Sequence, residues 1–143
     1  MLSKKTRYAI KALTKLAKEF QKGPILISDI SKTERIPQKF LEAILLELKN
    51  AGILNSKKGK GGGYYLIKKP EEVDLANIIR LFDGAIALLP CVSIKYYERC
   101  DECVDETLCG FRDIIREVRD NTLKILKEST LQDIIQREDS LKA

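Results

Sequence analysis

The sequence predicts a mainly α chain with one small β-hairpin. Three observations carry this expectation. Apolar residues recur at helical spacing through most of the first 84 residues, a run of lysine and glycine separates two short extended segments, and a second apolar seam lies along residues 110–128.

The first helix follows from Ala9, Ile10, Leu13, Leu16, Ala17 and Phe20 on one face, with Lys11, Lys15 and Lys18 on the other. Ser3 stands where an N-cap is needed, and Gly23-Pro24 ends the helix. Ile25-Leu26-Ile27 reads as short and extended, after which Ser28-Asp29 can cap a second helix running to about Glu34. Arg35-Ile36-Pro37 forms a turn, and Pro37 suits the first position of a third helix, where its missing N–H would be unpaired in any residue. That helix is expected to bury Phe40, Leu41, Ile44, Leu45 and Leu48. Gln38, Lys39 and Glu42 face outward with Ala43 beside them, and Asn50-Ala51-Gly52 stops the helix. Ile53–Lys57 and Tyr64–Lys68 flank a glycine turn as a hairpin, and Val73, Leu75, Ile78, Ile79 and Phe82 mark a fourth helix ending at Asp83-Gly84. Helix, turn, helix, then hairpin is the order of a winged helix-turn-helix.

Beyond residue 109, Phe111, Ile115, Val118, Thr122 and Ile125 step by four, three, four and three, with Ile114 and Leu126 widening the seam. A helix over about 110–128 would carry more apolar face than a three-helix head can cover. Homodimerisation is its natural use, and packing back onto its own domain is the alternative. Residues 1–84 therefore read as a DNA-binding head, 85–109 as a cysteine-bearing sensor loop, and 110–143 as a dimerisation helix with a C-terminal tail.

A chain of 143 residues is long enough for one compact domain with an appended element. Its net charge of +5 is unevenly spread. Residues 1–70 hold 16 Lys/Arg against 5 Asp/Glu, a balance of +11, whereas residues 71–143 hold 10 against 16, a balance of −6. A basic first half favours a polyanionic partner, although charge alone would equally describe a lysine-rich solvated surface. Histidine is absent, which removes the commonest general base and a common zinc ligand and leaves little to support an enzyme or a small-molecule substrate. Nothing resembles a signal peptide or the roughly 20 apolar residues of a membrane span, so a cytoplasmic protein without membrane attachment is expected.

Two motifs carry chemistry. In the hairpin, Lys57, Lys58 and Lys60 place three cations within four residues, and glycines such as Gly61 let the backbone approach a phosphate or a narrow minor groove. The run lacks the phosphate-loop pattern and sits between strands rather than before a helix, so nucleotide binding is the minor reading. On the third helix, Gln38, Lys39 and Glu42 offer donors and acceptors suited to base edges; a carboxylate facing phosphates makes sense when it reads a cytosine amino group, and otherwise Glu42 is a solvated helix residue. The second motif is Cys91-x8-Cys100-x2-Cys103-x5-Cys109, every cysteine of the chain within 19 positions. Such clustering in a cytosolic chain points to metal, iron–sulphur or redox chemistry rather than a disulfide framework. The neighbouring Glu98, Asp101, Glu102, Asp105 and Glu106 would raise thiol pKa values, the wrong direction for a bare low-pKa sensor but no obstacle to a metal site.

With these residues in view, the chain resembles the iron–sulphur cluster regulators of bacteria, a group of winged-helix transcription factors. The likeness covers nearly the whole chain. It rests on Leu2-Ser3-Lys4-Lys5-x-Arg7-Tyr8-Ala9, Ile36-Pro37-x-x-Phe40-Leu41-Glu42, Leu48-x-x-Ala51-Gly52-Ile53, Gly59-Lys60-Gly61-Gly62-Gly63-Tyr64, the cysteine loop and Ser129-Thr130-Leu131-Gln132-Asp133-Ile134. The resemblance implies a homodimer, joined through the 110–128 helix, that binds a palindromic double-stranded DNA operator. It places Lys39 and Glu42 where bases are read, Lys58 where a wing cation enters the minor groove, and Lys4 and Tyr8 near the backbone. Ser28, at the start of the second helix, completes the candidate DNA-facing set. The same resemblance matches Cys91 and Cys109 to the outer two of three loop cysteines, and the spacing to Cys109 favours Cys103 over Cys100 as the middle one.

Two departures from that pattern stand out: a fourth loop cysteine, and no loop histidine, with Arg7 where some relatives supply an aspartate. All-thiolate ligation by Cys91, Cys100, Cys103 and Cys109 is the simplest replacement, with Glu102 or Asp105 as a weaker oxygen ligand. The expectation is thus a dimeric transcriptional repressor whose operator affinity is set by an iron–sulphur cluster at the loop. Its alternatives are a zinc-containing or cluster-free thiol-switched regulator of the same fold, and a winged-helix protein–protein adaptor.

Overall fold

The computed structural model describes residues 1–143 as six helices and one hairpin: α1 (Lys4–Lys18), α2 (Ile27–Glu34), α3 (Gln38–Asn50), β1 (Leu54–Lys57), β2 (Gly63–Leu66), α4 (Leu75–Asp83), α5 (Gly110–Glu128) and α6 (Leu131–Lys142). The chain is mainly α with a small β-hairpin, as expected. None of its helices is long and apolar enough to cross a membrane.

Ser3 caps α1, its side-chain oxygen accepting the Thr6 N–H at 3.1 Å. The helix stops at Lys18, earlier than Gly23-Pro24, because Gln21 turns the backbone to φ 62°. Ala9, Ala12, Leu13, Leu16 and Ala17 line the buried face. Leu41, Ile44, Leu45 and Leu48 of α3 and Ile30 of α2 meet them in one core that also takes Leu54 and Leu66 from the hairpin.

Three local expectations are corrected. Leu26, not Ser28-Asp29, occupies the N-cap of α2 and makes no side-chain cap bond. Pro37 is the N-cap of α3 rather than its first residue. Phe40, expected in the core, is 43% exposed, since it lies at the flank of the α3 apolar stripe and packs edge-on against Tyr8 of α1, centroids 5.5 Å apart.

The hairpin is antiparallel, pairing Leu54 with Leu66 and Lys57 with Gly63. Ile25, in the extended piece before α2, adds a third edge by exchanging backbone bonds of 2.8 Å with Tyr64. That contact leaves no room for a side chain at position 63: a Cβ there would fall 2.3 Å from the Ile25 carbonyl oxygen, and φ is +139°. Gly63 thus presses the wing onto the head.

Residues after α5, read from the sequence as a tail, form a docked helix instead. Thr130 and Asp133 make a capping box at the start of α6. Leu131 is fully buried in the head core, its N–H donates to the Val73 carbonyl at 3.1 Å, and the Leu75 N–H donates to the Ser129 carbonyl at 2.9 Å. Lys18 of α1 pairs with Glu138 at 2.5 Å across the joint. Substituting Leu131→Ala should therefore destabilise the whole head, by about 2–5 kcal/mol for a fully buried leucine. Denaturant unfolding followed by circular dichroism checks this, and a change within about 0.5 kcal/mol, the surface-residue range, would show that α6 is not part of the core.

Candidate nucleic-acid interface and cysteine site

Residues picked out for DNA contact are distributed over α1, α2, α3 and the wing. Gln38, Lys39 and Glu42 are exposed on the first turns of α3, opposite the buried Leu41–Leu45–Leu48 stripe. Lys57, Lys58 and Lys60 are exposed in the wing, where Gly61 takes φ 74°. Lys4 is exposed in the first turn of α1, and Ser28 is half-buried in the first turn of α2. Tyr8 is half-buried against Phe40, so its ring props α3 as well as facing outward. None of these cations takes part in an ion pair. By contrast Lys5, part of the N-terminal motif but given no role from the sequence, is paired with Glu47 of α3 and lies 5.7 Å from the Phe82 ring of α4. It braces three helices. The Ser3 N–H donates to Asp83 at 3.0 Å at the end of α4, and although burial opposes it, this bonding holds the Asp83 carboxyl below its ordinary range.

All four cysteines line a single cavity of about 650 Å3 beside the start of α5. They are not equivalent. Cys91 is buried in the tight turn Pro90–Val92, Cys103 is half-buried, and Cys100 and Cys109 are exposed. Cys109 is the N-cap of α5, its sulphur accepting the Arg112 N–H at 3.4 Å. Leu89, Pro90, Val104, Leu108 and Phe111 supply apolar wall. As the chain stands, no three ligating side chains are gathered closely enough to hold an ion. The site is an assembled pocket rather than a closed cage.

Two arginines that the sequence reading missed fasten this pocket to α5. Arg112 Nε and Nη2 both donate to the Cys91 carbonyl at 3.3 Å, and Arg119 Nη1 donates to the Val92 carbonyl at 2.7 Å. The spacing of seven places both on one helix face, which is the signal the sequence offered. The exposed arm is tied to the Cys91 turn by one backbone bond, Glu98 N–H to the Pro90 carbonyl at 3.1 Å, and otherwise to itself: Cys103 N–H to the Cys100 carbonyl at 3.1 Å, Arg99 to the Cys103 carbonyl at 3.4 Å, and Tyr97 to Glu106.

The family model for Rrf2, described as an iron-dependent transcriptional regulator, matches residues 2–137. The chain belongs to the Rrf2 family. An rrf2-like HTH-type transcriptional regulator of Rhodobacter capsulatus is 39% identical over 94% of this chain and 92% of its own length. The regulator IscR of Pectobacterium atrosepticum is 29% identical over 98% of this chain and 82% of its own. Among solved structures, CymR, the global cysteine regulator of B. subtilis, superposes with a TM-score of 0.80 at 27% identity, covering 96% of this chain and 97% of that one. This Rrf2-family chain is a transcriptional regulator, not an enzyme, and its fold is the winged helix of its relatives.

Within the pocket, the Cys100 thiol lies above its ordinary pKa: the Glu102 N–H alone would lower it, but the Glu102 carboxylate at 3.4 Å, burial and the nearby Cys103 outweigh that donor. A raised pKa means less thiolate at neutral pH. Cys100 should therefore alkylate more slowly at pH 7 than an unperturbed thiol, and the rate should climb at higher pH than usual. In Glu102→Gln the climb should move to lower pH. Residue-resolved iodoacetamide labelling across pH reads both, and an unmoved profile in that variant would clear Glu102 of the effect.

Proposed function

We propose that this Rrf2-family regulator is a homodimeric, sequence-specific DNA-binding repressor whose operator affinity is controlled by an iron–sulphur cluster at the cysteine loop. The observation that carries the sensing half is that all four cysteines line one pocket at the foot of α5. The donor set suits the group: thiolates are the ligands such clusters take, and four are present with an apolar wall around them. When bound, a cluster supplies a thiolate-held group whose presence depends on iron supply and oxidants. Cys91 and Cys109 stand on the α5 side of the pocket, while Cys100 and Cys103 ride on the exposed arm, which would close on a bound cluster. Closing that arm changes what the foot of α5 presents, and a differential interaction of this kind is what shifts a two-state equilibrium.

Dimerisation is supported by the face α5 leaves uncovered. Phe111, Ile114, Val118 and Ile125 are exposed, Phe111 by 63% and Ile114 by 61%, at the spacing of a helix–helix seam. DNA reading is supported by the unpaired cations of the wing and the outward polar row of α3. Lys39 and Glu42 are assigned to base edges, Lys58 to the minor groove, and Lys4, Tyr8, Ser28, Gln38, Lys57, Lys60 and Gly61 to the surrounding contacts.

A second reading, direct thiol switching without a metal group, draws support from the likeness to CymR, a cysteine regulator, and from the exposure of Cys100 and Cys109. Anaerobic purification with a visible spectrum and iron, sulphide and zinc assays separates the readings. The expected result is broad visible absorption with iron and acid-labile sulphide. A colourless zinc protein would make the loop structural, and a metal-free protein that cannot be reconstituted would sink the cluster reading in favour of the thiols.

Once an operator has been selected from random duplexes, Lys58→Ala should weaken binding to matched and scrambled DNA alike and reduce the salt dependence of log K by about 1. Glu42→Ala should cost about 1–3 kcal/mol at one base position and relax preference there. Equal effects of both variants on matched and scrambled duplexes would remove Glu42 from base reading. Absence of salt-sensitive affinity for any duplex would leave the adaptor role.

A further inference from the structure

Arg112 touches both ends of the cysteine loop. Its guanidinium forks onto the Cys91 carbonyl through Nε and Nη2 at 3.3 Å, while the backbone N–H at this position, which any non-proline residue here would supply, donates to the Cys109 sulphur as N-cap at 3.4 Å. Two turns further along α5, Arg119 repeats the attachment on the Val92 carbonyl at 2.7 Å. Elsewhere the loop has no comparable hold on a helix: the arm carrying Cys100 and Cys103 is stitched to itself and to the Cys91 turn by one neutral backbone bond, Glu98 N–H to the Pro90 carbonyl at 3.1 Å.

We propose that Arg112 is the positioning residue of the cysteine site, joining Cys91 and Cys109 into one preset wall toward which Cys100 and Cys103 close. The inference rests on the reading of the loop as the sensing site and deepens it. Three physical points support it. A planar fork on one carbonyl fixes orientation as well as distance, which a single donor cannot do. The charge makes the arginine bonds stronger than the one neutral bond that ties the turn to the arm, Glu98 N–H to the Pro90 carbonyl, so the Pro90–Val92 turn follows α5. Arg116, one turn away, lacks any such link and pairs only with Asp113 on the exposed surface, at 2.7 Å. Cation content of the helix is therefore not the determinant; the places of residues 112 and 119 are, and of the two only Arg112 reaches Cys91 itself. Because Phe111, the first member of the uncovered α5 stripe, adjoins this residue, the preset wall and the surface offered to a second copy share one helical turn.

The test uses the full-length chain, reduced and before metal is added, as wild type, Arg112→Ala, Arg112→Lys and Arg116→Ala. Iodoacetamide labelling is followed cysteine by cysteine, thermal melting is recorded, and each protein is then reconstituted with iron and sulphide. Wild type should protect Cys91. Arg112→Ala should label Cys91 roughly tenfold faster, as expected for a lost charge-assisted bond, with Cys100 unchanged. Arg112→Lys, which keeps the charge but not the fork, should behave like Arg112→Ala, and Arg116→Ala like wild type. Reconstituted visible absorbance should fall in the two Arg112 variants alone. If folded Arg112→Ala keeps Cys91 protected, if all four cysteines speed up together, or if Arg112→Lys equals wild type, the proposal fails. Should Arg112→Ala not fold, the lysine variant decides. Failure of wild type to reconstitute would overturn the cluster reading, whereas the labelling pattern would still judge Arg112.

Discussion

One helix fastened at both ends governs the rest of the molecule. Over its first half α5 grips the Cys91 and Val92 carbonyls through Arg112 and Arg119, and at its end the chain turns at Ser129 to bond Val73 and Leu75 and to bury Leu131. At 19 residues α5 is about 28 Å long, and the head covers only one flank of it. Arg112, Ile115, Arg119, Leu123 and Leu126 fall on the inward side, and Leu123 alone is buried. The opposite apolar row is left for another surface. A helix anchored in this way cannot slide or roll to hide that row without breaking charge-assisted bonds at one end or the head core at the other.

The same anchoring defines the loop. Both of its outer cysteines stand at the foot of α5, so the intervening segment is an excursion between two posts rather than a free linker. Closing such an excursion costs little additional entropy once its ends are held. Its charge is also distinct. Acidic side chains crowd Cys100 and Cys103, whereas the exposed lysines of the wing carry the positive field of the head. Segregating the two signs keeps the loop off any polyanion that the head attracts.

Much of the head was legible from residue patterns. Ser3 as a cap, the hairpin across Gly59–Gly63, the end of α4 at Asp83-Gly84 and the bounds of the 110–128 helix all follow from local rules that need no distant partner. Misplaced details share a cause. Phe40 has the apolar character of a core residue, but its fate depended on Tyr8 lying against it from another helix. Ile25 looked like a bare extended piece until Tyr64 supplied an edge. For α6, Leu131, Ile134 and Ile135 are too few to advertise a buried face, and only the groove beside α1 gives them one.

Residue order alone determined the helices and hairpin through residue 128, the split between a basic head and an acidic remainder, and the grouping of all cysteines in one loop, because caps, periodicity and spacing act over a few residues. Tertiary structure decided which thiol is buried and which are exposed, that the C-terminal helix completes the head, and that arginines 21 and 27 residues away hold the turn around Cys91. Those outcomes depend on contacts between distant segments. Such contacts form only when α5 is laid across α4, and no local pattern encodes that placement.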